Sequence, residues 1–146
     1  MAKQDFSPAL EATQNQLGLT FSASDALDTK ALGVLGFVIA LFIFTLQSEM
    51  NNPWWLLTPL FAMLGLAALC TLMVIWPRDY KGAIVDLNDH TEYLALDENE
   101  LSLQLLVDTQ SAITANTALN NQKSQYCGLA IVATLVSVGF LVGCIL

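Results

Sequence analysis

The stretch "MNNPWWLLTPLFAMLGLAALCTLMVIWP", Met50–Pro77, contains no charged residue. A helix needs about 20 mostly apolar residues to cross the roughly 30 Å hydrocarbon core of a bilayer. This one is long enough, and it has no polar stripe at the helical period, as a soluble amphipathic helix would. Two more such runs flank it. Ala31–Ser48 carries no charge between Lys30 and Glu49, and Ser124–Leu146 carries none after Lys123. The sequence therefore predicts an all-α membrane protein with three transmembrane helices.

Composition agrees once its distribution is seen. Of the 146 residues 55% are hydrophobic and 12% charged, with 13 Asp+Glu against 5 Lys+Arg and a net charge of −8. Such apolar content excludes disorder. So few cations exclude a binder of nucleic acid polymers. Three cysteines without framework spacing exclude a disulfide scaffold.

The edges of the runs carry interfacial residues. Trp54, Trp55 and Trp76 bracket the second run, and Tyr126 opens the third. Pro53 suits a helix start and Pro77 a helix end. All five basic residues, Lys3, Lys30, Arg78, Lys81 and Lys123, fall on one side of the expected spans. The positive-inside rule assigns that side to the cytoplasm. The expected protein is multi-pass, N-terminus in and C-terminus out, with a tight outside hairpin at Gln47–Pro53. Its parts are an N-terminal cytoplasmic helix in 1–30 and a transmembrane hairpin in 31–76, with spans near 31–48 and 54–76. A cytoplasmic loop and long helix in 77–125 and a third span in 126–146 complete it.

Within 1–30, Phe6, Leu10, Leu17 and Phe21 predict a short amphipathic helix interrupted near Gly18. Ser24 and Asp25 are candidate caps for the run into the membrane. In 77–125 the segment "AIVDL" reads as extended, and Asp97 with Glu100 reads as a capping box. Neither Gly nor Pro occurs from Ala83 to Cys127, so one helix of about 75 Å is expected to run from Asp97 into the membrane. Leu101, Leu105, Ala112 and Leu119 share one side of it; Leu103, Leu106, Val107 and Ile113 lie roughly opposite. A helix apolar on two sides needs two partners, expected to be the N-terminal helix and a second copy of the chain.

Asp108, Asn116 and Lys123 lie on or beside the first stripe, as candidates for a polar seam or gate. Gly139 and Gly143 form a GxxxG pair suited to helix packing. Thr134 and Ser137 share a side with Ala130; their hydroxyls either line a narrow wet path or bond the preceding turn. Arg78 and Lys81 are candidates for an anionic ligand or lipid headgroups, with Lys123 the third cation of that segment. Catalytic chemistry is not expected. His90 has no zinc-site partners, Cys70, Cys127 and Cys144 read as apolar fillers, and no phosphate loop or calcium loop is present. No enzyme, cofactor or metal follows from these residues. The spans also lack ionisable groups, which argues against active transport.

The order of parts resembles a bacterial family. "DALDTKALGVLGF", with Asp28, Lys30 and Ala31, looks like the lead-in to the first membrane helix of Pycsar-effector-type transmembrane proteins, grouped with SLATT-like anti-phage effectors. "WPRDY" resembles the end of their second helix. Glu98, Glu100, Leu101, Asp108, Ala112, Asn116 and Lys123 fall where their long helix has its acidic start, its "D…A…N" pattern and its last lysine. The resemblance implies a membrane effector of abortive infection. It would be triggered by a nucleotide second messenger or a sensor protein, forming a homo-oligomeric ion channel or pore that depolarises the inner membrane. No segment here is long enough for a separate nucleotide-sensing domain, so sensing is expected in the cytoplasmic part or in another protein. A scaffold that recruits a soluble partner, or a holin, is the alternative.

Overall fold

The computed structural model describes residues 6–47, 54–82 and 96–145. The expected hairpin turn, the "AIVDL" segment and His90 lie outside the described residues, as do the side chains of Trp54, Trp55 and Cys144. Three helices make up nearly everything else: α1, Ser7–Gln47; α2, Trp54–Ile75; and α3, Glu98–Ile145. All three are long and apolar enough to cross a membrane. The third span is continuous with a long helix outside it, as the absence of Gly and Pro predicts.

The helix ends have simple causes. Asp97 precedes α3, and its carbonyl accepts the first bond, from the Leu101 N–H, at 2.8 Å. Pro77 follows the end of α2. Pro59 lies inside α2 and removes one N–H from its second turn.

The N-terminal reading is corrected in two respects. α1 is not interrupted near Gly18; it runs unbroken for 41 residues. A single glycine costs a helix only about 1 kcal/mol against alanine, and the neighbouring Leu17 is buried against α3. Ser24 and Asp25 cap nothing, because both stand in mid-helix.

The chain divides into two compact units. One comprises residues 1–24 and 78–120, the other 25–77 and 121–146. In the first, or headpiece, Leu17 of α1 packs on Ala112 and Ile113 of α3. This contact falls between the two stripes expected on α3, taking one residue from each. Leu101, Leu105 and Leu119 are half-buried, whereas Leu103 and Val107 stay exposed.

The second, or membrane, unit is a three-helix bundle. Ala31, Val74 and Cys127 form one cluster; Val38, Leu60, Leu64, Ala67, Ala133 and Leu141 form another. Contacts advance together along α1 and α3 and in reverse along α2. α1 and α3 are therefore parallel, and α2 is antiparallel to both. Small side chains hold several of the most buried positions, with Ala31, Ala67, Ala130 and Ser137 fully covered. Lipid offers no hydrophobic drive for helices to associate, so close approach of backbones through small side chains supplies the attraction. Ala67→Leu is expected to overpack this seam and cost about 1–3 kcal/mol, read as a lowered thermal midpoint in detergent. Leu66→Ala, on the exposed side of the same helix, should leave the midpoint nearly unchanged.

Candidate functional site

α3 presents one narrow buried seam: Thr109, Ala112, Asn116, Lys123, Cys127, Ala130, Thr134, Ser137 and Leu141 recur at steps of three, four or seven residues. The polar members of this seam do different work in the two units.

In the headpiece, Asn116 is fully buried. Its Oδ1 accepts from the Lys81 N–H at 2.9 Å, and its Nδ2 donates to the Lys81 carbonyl at 2.9 Å. The amide thus makes both bonds that a neighbouring β-strand would offer, and it fixes the backbone that follows α2 onto α3. Next to it on the helix, Asn120 joins a relay. Ser24 Oγ donates to Tyr80 Oη at 2.9 Å, Tyr80 Oη donates to Asn120 Oδ1 at 2.7 Å, and Asn120 Nδ2 donates to the Thr20 carbonyl at 2.8 Å. The Tyr80 ring also lies 6.0 Å from that of Phe21. Three segments are joined by one connected set of bonds: α1, the 78–82 segment and α3. A partly buried network of this kind favours one arrangement when all its members are satisfied.

In the membrane unit, Lys123 Nζ lies 2.8 and 3.0 Å from the two carboxylate oxygens of Asp28. The lysine side chain is 3% exposed and the aspartate side chain 34%. A buried ammonium persists only with a partner that offsets its lost hydration. Asp28 is that partner.

Other expected candidates fall in different surroundings. Thr134 and Ser137 are buried, and their hydroxyls donate to the carbonyls of Ala130 and Ala133 at 2.7 and 2.8 Å. Asp108 is half-buried beside the seam and accepts from Gln104 Nε2 at 3.3 Å. Gly139 and Gly143 face outward, and a Cβ added at either meets nothing within 4 Å. Lys81 has an exposed side chain on a tethered backbone, and Arg78 is half-buried. Cys70 and Cys127 are buried free thiols.

Sequence reasoning placed Asn116 and Lys123 near a seam but gave Ser24 a capping role, missed Tyr80 and Asn120 as network members, and did not pair Lys123 with Asp28. The spacing of Asn116, Asn120 and Lys123, one face of one helix, was the available signal.

Compared with known families, residues 13–146 match the model of the Pycsar effector protein domain. The match covers the described parts of all three helices from Thr13 onward, and with them the tethering network and the ion pair. No curated protein and no solved structure gives a match.

Proposed function

This chain belongs to the Pycsar effector family, and from that premise we propose that it oligomerises and permeabilises or depolarises the bacterial inner membrane when a nucleotide signal or a partner protein triggers it. It is a multi-pass transmembrane effector of anti-phage defence. The observation that carries the fuller reading is that the family match takes in the headpiece together with the three spans.

Two features support assembly. Leu103 and Val107, on a headpiece helix face, are each about half exposed. One turn apart on one face, these apolar side chains offer a surface that a second copy of α3 can cover. The open Gly139 and Gly143 positions let another helix approach closely within the bilayer.

In this reading the headpiece lies in the cytoplasm with the N-terminus, and the C-terminus faces out. The signal acts on the tethered segment that carries Arg78 and Lys81, where an anion meets cationic side chains. It opens the assembly only by binding the open state more tightly than the closed one.

The test is assembly and leak in one preparation. The full chain in lipid vesicles should cross-link into higher-order species and release an encapsulated dye on addition of the activating signal. Val107→Glu and Gly143→Leu should each shift the species toward monomer and slow release at least tenfold. Unchanged cross-linking in both variants would remove these faces from the account.

A further inference from the structure

The membrane unit carries an open groove between α1 and α3 of about 410 Å³, within the size range of small-ligand sites. Its walls are almost wholly apolar. Lys30, Gly33, Val34 and Phe37 supply the α1 side, and Ile131 and Leu135 the α3 side. Thr134 also borders it, but its hydroxyl is spent on the Ala130 carbonyl. Lys30 stands at one end, and Phe37 is seven residues further on, about 10 Å along the helix. Lys30 is exposed, and no carboxylate among the described residues pairs with it. The nearest acid in the chain on that turn, Asp28, is engaged by Lys123. At Gly33 an added Cβ would meet nothing within 4 Å, so the missing side chain gives the groove its depth.

We propose that this groove holds one anionic phospholipid, with an acyl chain lying along Gly33–Phe37 and the phosphate meeting Lys30. The charge pattern selects that occupant. A cation stands at the end of an apolar trench, where the uncharged run Ala31–Ser48 begins. A lysine at that level extends its ammonium to the headgroup region while its stem stays on apolar surface. The matching molecule is an amphiphile with an anion directly above a hydrocarbon chain. A helix from a second copy would fill the trench but would have to bring a carboxylate to the Lys30 level.

The test uses the full chain in a neutral detergent, with phosphatidylglycerol and phosphatidylcholine added in equal amounts. Bound lipid is counted by native mass spectrometry. Phosphatidylglycerol should be retained about fivefold over phosphatidylcholine, the preference that one lysine confers against an anionic headgroup. Lys30→Gln should abolish the preference. Gly33→Leu, whose Cβ meets nothing within 4 Å, should reduce retention of both lipids. Both variants are first matched to the parent in thermal midpoint, and Lys30→Arg should keep the preference in any case. Equal retention of the two lipids by the parent chain would overturn the proposal. So would retention unaltered by either variant. A change in oligomer size with Gly33→Leu while lipid retention persists would assign the groove to a second copy and overturn it equally.

Discussion

Replacing Asp28 by asparagine is expected to destabilise the membrane unit by about 2–3 kcal/mol. The Lys123 side chain is 3% exposed, and both carboxylate oxygens of Asp28 lie within 3.0 Å of its ammonium. Removing one partner from a buried pair typically costs 3–5 kcal/mol, because the other charge stays buried without compensation. Asp28 is one-third exposed, so water screens the pair and the expectation is set below that range. The same reasoning predicts non-additivity. Lys123→Met in the Asp28→Asn background removes the buried charge and should recover most of the loss. The pair of variants is read as a double-mutant cycle on thermal midpoints in detergent. Losses that simply add would show that the two groups are not coupled.

Asn116→Asp should be nearly as costly, at about 2 kcal/mol, although it changes one atom of a side chain. The native amide accepts from the Lys81 N–H and donates to the Lys81 carbonyl. An aspartate can still accept but sets an oxygen against the carbonyl, and it brings a charge to a position with no exposure. Asn116→Leu keeps the branched outline of the side chain, with bulkier methyl groups, and loses both bonds. In both variants the Lys81 amide should exchange its hydrogen at least tenfold faster, whereas amides around Leu64 in the membrane unit should hold their rates. Unchanged exchange at Lys81 would mean that the 78–82 segment is held by something other than Asn116.

Much of this architecture is legible in the sequence. Three uncharged runs give three spans because a bilayer leaves no other place for so much uninterrupted apolar surface. The unbroken α3 follows from the absence of Gly and Pro across its headpiece part. Gly18 does not break α1, because tertiary packing of Leu17 outweighs the small cost of a lone glycine. Asp28 is a different case. Its partner lies 95 residues away, and no local period reports a contact of that separation. Tyr80 and Ser24 were hidden for the same reason, since the relay joins α1, a non-helical segment and α3. The two stripes on α3 were correctly apolar, but which residues α1 would cover depended on the crossing of two helices. That crossing chose Ala112 and Ile113.

If the chain acts as proposed, blocking phage and losing membrane potential are one event. The direct measurement follows a potential-sensitive dye in cells that carry the chain with its neighbouring genes during phage challenge. Depolarisation is expected before the phage bursts the cell and is absent in cells whose copy carries Val107→Glu. Phage blocked in cells that stay fully polarised would contradict it.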